Sequence, residues 1–277
     1  MQVKISPIFQ AFEQQHAEAK ELFLTLGKQI KSKKAIELYG KLSFLEVYGD
    51  LLAKIHFEKE SLQFDFFAPF SKLQKNLRKI NHLKLVEKGL RQRELNQDLT
   101  YNSYSTFVDK HKKGLYSETF DMVVGSSLKV WDEFLAKSQE ASKQIKPLTI
   151  NTAINQLIEE ELEFFHINQR QRLDSKALKD LFEGLRKIIM LENLLLYLGF
   201  NSIFIDSIHA EMEGLKENLK PWYANHLELQ SLTHFLSDKE DVSKKYIAWV
   251  KDLHAEKKSL TSKVEKQAQS LFQKILA

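Results

Sequence analysis

From Asp174 to Phe200 the chain reads DSKALKDLFEGLRKIIMLENLLLYLGF, and Leu178, Leu181, Leu185, Ile188, Ile189 and Leu196 recur at steps of three and four. A period of 3.6 residues gathers these side chains on one helical face, which folding must cover with other elements. Asp174 stands at the N-cap, where a carboxylate accepts from the first free backbone N–H groups. Gly199 stands where a helix can leave through the left-handed region. The stretch therefore predicts one long buried helix, and an all-α bundle around it.

A second stretch, KKAIELYGKLSFLEVYGDLLAKI, matches it at a constant offset. Ala35 aligns with Ala177, and Val47, Tyr48, Leu52 and Ile55 align with Ile189, Met190, Leu194 and Tyr197. The same offset pairs Asn76, Leu77 and Arg78 with Asn218, Leu219 and Lys220. Matches in separate segments point to a duplicated helical unit. The expectation is a single domain over 1–277, built from pseudo-repeats of four helices at 1–146 and 147–277.

The remaining elements follow from periodicity and punctuation. Pro7 suits the first turn of a helix running to about Lys31, with Ile8, Phe12, Ala19, Phe23 and Leu26 inward. The Ala35–Ile55 helix comes next, then an aromatic loop, FEKESLQFDFFAP, with room for a short strand. Pro69 opens a helix through Leu95 whose apolar stripe changes phase near Leu83, a pattern that predicts a bend. Thr100 to Ile145 reads as one long helix, with Gly114 and Gly125 as points of interruption. Phe107, Leu115, Phe120, Val124, Leu128, Trp131 and Leu135 are its inward candidates. Pro147 in KPLT divides the halves. Beyond it come helices from Ile150 to about Arg172, from Ser207 to Phe235 with a kink at Pro221, and from Asp241 onward.

Composition narrows the function. Nine glycines and four prolines in 277 residues suit long helices. No cysteine is present, which excludes disulfides, thiolate nucleophiles and Cys-based metal sites. Forty-one basic against thirty-seven acidic residues leave a net charge of +4, too small to imply nucleic-acid binding, so a phosphate site must be local. The N-terminus lacks an apolar signal core, and the apolar run Ile188–Phe200 is too short for a membrane span and contains Glu192. A soluble, cytoplasmic protein is expected.

Charge clusters on two helices. Lys72, Lys75, Arg78, Lys79, Lys84, Lys88, Arg91 and Arg93 share one helix, opposed over that span only by Glu87. The first four lie opposite Leu73, Leu77 and Ile80. Arg170, Arg172, Lys176, Lys179, Arg186 and Lys187 form a second group. The plain reading is a solvated face; the functional one is a surface for anions. Glu192, on the apolar face of its helix, must find a partner or stay protonated, as a structural ion pair or as a catalytic acid. Glu13-x-x-His16 and Glu163-x-x-His166 have the spacing of di-iron ligands in helical bundles, a pattern that nine histidines and many glutamates also supply by chance. His209, Glu211 and Glu213 read as a polar helix start. Phosphate loops, dinucleotide fingerprints, zinc-protease motifs and nucleophile elbows are all absent from the sequence.

The two-by-four layout and the matched helices resemble the CHAD family, the conserved-histidine α-helical domain, which binds inorganic polyphosphate in a basic channel. Its signature helix carries His and Arg or Lys at i, i+3, i+7 and i+10, one face of cations along a phosphate chain. Here those positions hold Glu37, Gly40, Phe44 and Val47 in the first repeat and Lys179, Phe182, Arg186 and Ile189 in the second. Leu77-Arg78 and Leu219-Lys220 stand at the family's Leu-Gly turn, and Trp222 where a tryptophan is common. The resemblance implies a divergent, non-enzymatic binding module without cofactor or metal. Its partner would be inorganic polyphosphate or another polyanion, held by Lys72, Lys75, Arg78, Lys79, Lys179, Arg186 and Lys187. A protein-interaction scaffold that has lost anion binding is the alternative, with Phe44, Val47, Phe182 and Ile189 closing the channel into an apolar seam. Neither specific nucleic acid nor membrane is an expected partner.

Overall fold

The computed structural model describes residues 6–60, 67–168 and 173–275, with side chains throughout except at 57–60 and 164–168. Among the described residues there are nine α-helices and no strand. They are α1 (Pro7–Leu26), α2 (Ser32–Glu60), α3 (Ala68–Gln97), α4 (Asn102–Gly125), α5 (Lys129–Ala141), α6 (Pro147–Asn168), α7 (Ser175–Tyr197), α8 (Asp206–Leu236) and α9 (Lys244–Ile275). None of them is long and apolar enough to cross a membrane. The central part of the aromatic loop, residues 61–66, lies outside the described residues, as do Arg170 and Arg172.

Most boundaries follow local chemistry. Pro7 occupies the first turn of α1. Asp174 caps α7, its Oδ1 accepting from the Ala177 N–H at 2.8 Å, and Gly199 takes φ +81° just beyond the helix. Pro221 sits inside α8, which continues through it even though a mid-helix proline costs about 3 kcal/mol. Leu219 and Trp222 on either side are fully buried, and that packing offsets the cost. The long helix expected over 100–145 is two: α4 ends at Gly125, and Ser126-Ser127 carry no apolar side chain to hold the stripe. The break resets the phase. Val123 is therefore buried while Val124 and Leu128 are 59 % and 42 % exposed, and Trp131 and Phe134 turn inward in α5. Gly114 lies within α4 and interrupts nothing. The segments at the expected Leu-Gly turns, Leu77-Arg78 and Leu219-Lys220, lie inside α3 and α8.

The chain divides into two compact units, each discontinuous in sequence. The first comprises Met1–Asn81, Lys113–Glu159 and Met190–Ser202; the second His82–Lys112, Glu160–Ile189 and Ile203–Ala277. Neither follows the division at Lys146–Pro147. α3 gives its first part to one unit and its second part to the other, and the apolar stripe changes phase at that point.

In the first unit α1 packs on α2 and α5 around an aromatic nucleus. The ring of Phe12 lies 4.5 Å from Tyr48 and 5.2 Å from Phe134, and Trp131 lies 4.7 Å from Phe70 and 5.3 Å from Phe23. Each buried aromatic removes roughly 150–250 Å² from water, so a handful supplies much of this unit's hydrophobic stabilisation. In the second unit α8 packs along α9. Tyr101, Tyr104, Trp222 and Trp249 are almost wholly buried there, and their polar ends are satisfied: Tyr104 donates to Ser231 at 2.8 Å and the Trp222 indole to Thr261 at 3.0 Å.

Candidate anion-binding sites

On α3 of the first unit, Leu73, Leu77 and Ile80 are buried, and the helical period turns Lys72, Lys75, Arg78 and Lys79 outward. All four are exposed, and none makes a hydrogen bond or ion pair among the described residues. Three and four residues apart, they are neighbours along one helix surface, where like charges repel. No acidic side chain among the described residues pairs with them.

Further along α3, in the second unit, the cations are spent differently. Lys84, Lys88 and Arg91 are exposed. Arg93 is half-buried, donates to Asp252 at 2.8 Å, and lies 5.9 Å from the Trp249 ring. The Asp252 and Tyr101 bonds raise its already high pKa against the opposing effect of burial, the largest single influence.

The α7 candidates of the second unit divide by partner. Arg186 bonds Glu183 at 2.9 Å and lies over the Phe182 ring, and Lys187 pairs with Glu161 at 3.1 Å. Both have a carboxylate in place. Lys179 is half-buried and has no such partner among the described residues. The α3 stripe falls in the first unit and the α7 group in the second. At the other signature positions, Val47, Phe182 and Ile189 are buried, Phe44 is half-buried, and Glu37 is bonded by Lys34 at 2.9 Å.

Two polar constellations escaped the sequence reading. Glu228 on α8 accepts from the Trp249 indole at 3.0 Å, and its carboxyl fills the space beside Gly89 of α3, where a Cβ would stand 1.8 Å from Oε2. Burial pushes its pKa up to about 7; Glu256 adds to the rise, while Trp249 and Arg93 oppose it. Two residues earlier, His226 is 5 % exposed and stacks on Trp222 at 5.2 Å. Lys257 of α9 places Nζ 3.1 Å from His226 Nδ1. Burial, then Lys257, then Lys179 push the imidazole down to about 4. A sequence signal existed for both bases. His226 continues the α8 stripe Leu215, Leu219, Trp222, and Lys257 lies between Leu253 and Leu260 on the α9 stripe.

The acid and metal candidates of the sequence lie apart from the basic groups. Glu192 is fully buried on α7, as its stripe position predicts. His16 is 3 % exposed and bonds the Trp131 carbonyl through Nε2 at 3.0 Å, while Glu13 on the same helix is exposed. Burial lowers the His16 pKa, partly offset by that carbonyl. The side chain of His166 lies outside the described residues. Among those described, no three His, Asp or Glu side chains cluster as metal ligands.

No protein-family model matches the chain, and neither do any curated protein or any solved structure.

Proposed function

We propose that this chain is a non-enzymatic binding module for a linear polyanion, of which inorganic polyphosphate is the simplest. The observation that carries the reading is the α3 face, where Lys72, Lys75, Arg78 and Lys79 stand exposed with no acidic partner among the described residues. A row of cations on one helix recognises repeated charge rather than shape, so binding should be salt-dependent and indifferent to sequence or base. Within this reading the chain is a divergent CHAD-type protein that keeps Lys179 and Arg186 at signature positions and carries its further cations on α3. The all-helical architecture supports that assignment, as does Lys179 at a signature position.

The test is binding of long-chain polyphosphate over a salt series, comparing the native chain with the triple variant Lys72→Ala/Lys75→Ala/Lys79→Ala. The expected result is tight, salt-sensitive binding, weakened at least tenfold in the variant, with a log K against log salt slope shallower by roughly one per lysine removed. Absence of binding at low salt would overturn the proposal in favour of an interaction scaffold. For that second reading Leu196 and Tyr197, 51 % and 60 % exposed at the end of α7 in the first unit, offer an apolar contact.

A further inference from the structure

Three half-buried lysines of the second unit each hold a carboxylate: Lys112 meets Glu87 at 2.6 Å, Lys187 meets Glu161 at 3.1 Å, and Lys216 pairs with Glu213. Lys257 on α9 is half-buried too, yet it makes no ion pair among the described residues. Its neighbours do not replace one. Nζ lies 3.1 Å from Nδ1 of His226 on α8, and since an ammonium has no lone pair, Nζ donates and Nδ1 accepts. The Trp222 ring stands 6.0 Å away, at the outer limit of cation–π attraction, so it compensates little. Glu256, adjacent in sequence, is engaged by Asn225 Nδ2 at 3.1 Å. Lys179 of α7 acts on the same imidazole with the same sign as Lys257.

For an amine so placed the charged form is the costly one, and burial pulls its pKa down. The neutral amine is a nucleophile, and one that is half-buried favours a small electrophile. We propose that Lys257 is a carbamylation site, whose Nζ adds carbon dioxide to form a lysine carbamate. The ammonium first gives one proton to water. Its freed lone pair then bonds the carbon of carbon dioxide, a C=O π pair moves onto oxygen as the carboxylate, and a second proton leaves for water. No other reactant is consumed. The third N–H remains and donates to His226 Nδ1 as the ammonium did, so the 3.1 Å hydrogen bond survives the change. A positive charge that lacked a counter-ion has been exchanged for a negative one, whose oxygens can take the solvent side. This chemistry owes nothing to the polyanion reading and survives its failure.

The experiment equilibrates the full chain with isotopically labelled bicarbonate and carbon dioxide at mildly alkaline pH, traps carbamates as ethyl esters with triethyloxonium, and locates them by peptide mass spectrometry. Lys257 is expected to carry label at an occupancy about tenfold or more above Lys258 and Lys266, which are exposed on the same helix. Carbon dioxide should also shift the His226 ring resonances in NMR, assigned through their loss in His226→Gln, because the charge across the hydrogen bond changes sign. That shift should vanish in Lys257→Arg, which keeps the positive charge and lacks the amine. Preferential labelling together with a shift that Lys257→Arg abolishes supports the site. Labelling of Lys257 no greater than that of Lys258 and Lys266 overturns it, as does a His226 ring unmoved by carbon dioxide or a shift that persists in Lys257→Arg. Trapping needs no variant, so if Lys257→Arg fails to fold the occupancy ratio decides.

Discussion

Glu228 and Gly89 depend on one another. An alanine at Gly89 would drive its Cβ into the carboxyl, which is the movable end of a side chain but is anchored to Trp249. Gly89→Ala should gain about 1 kcal/mol of helix propensity and lose a comparable or larger amount by displacing Glu228. In a Glu228→Ala background only the gain remains. A double-mutant cycle read by denaturant unfolding should give a coupling of about 1–3 kcal/mol, and a coupling near zero would contradict the contact. Glu228 and His226 also set opposing pH dependences. The unfolded imidazole protonates near about 6.5 and the folded one near about 4, so between these values the unfolded state holds more protons and His226 makes stability fall as pH falls. Glu228 protonates near about 7 when folded and near about 4.5 when unfolded; the native state holds the extra proton, and stability falls as pH rises through that window. The two slopes partly cancel where the windows overlap. His226→Gln should unmask a decline in stability with rising pH, Glu228→Gln a rise, both visible as the denaturant midpoint measured across mildly acidic to neutral pH. His226 continues the α8 stripe and so carried a signal, but Glu228 could not be ranked from sequence. Leu227-Glu228-Leu229 has the look of an ordinary amphipathic turn, and the void that admits the carboxyl is made by a glycine on another helix.

At the scale of elements, α7 shows what sequence makes legible. Its cap, its stripe as far as Ile189 and its terminating glycine are local, whereas Leu196, expected on the same inward face, is 51 % exposed; the cap and the glycine each have a direct test. Asp174→Ala should cost about 1 kcal/mol by removing the Ala177 N–H acceptor, and Gly199→Ala about 1–2 kcal/mol because φ is positive there. On α3 the two faces separate energetically: Leu77→Ala, at 0 % exposure, should cost about 2–5 kcal/mol in chemical denaturation, while Lys75→Ala should stay within about 0.5 kcal/mol. The break between α4 and α5 was half legible. Gly114 and Gly125 looked alike as single residues, and only the second is followed by two serines that offer the stripe no apolar side chain. The α7 cations were legible as charge but not as availability, because the carboxylates that occupy Arg186 and Lys187 depend on helical phase and on α6.

For the whole molecule, periodicity within helices says nothing about which segments share a core. The offset between Ala35–Ile55 and Ala177–Tyr197 suggested halves meeting at Pro147, whereas each compact unit draws on three stretches that alternate along the chain. A fragment ending at Lys146 lacks Met190–Ser202 of the first unit and should show no cooperative thermal transition by circular dichroism; a sharp transition would mean that the first half is self-sufficient. The alternation also bears on synthesis. On the ribosome the first unit cannot close until Ser202 has emerged, on the order of ten seconds after Asn81 at ordinary translation rates. For the first half of that interval the aromatic face of α1 waits for Trp131 and Phe134 of α5, and the nascent chain is a natural client for a holding chaperone.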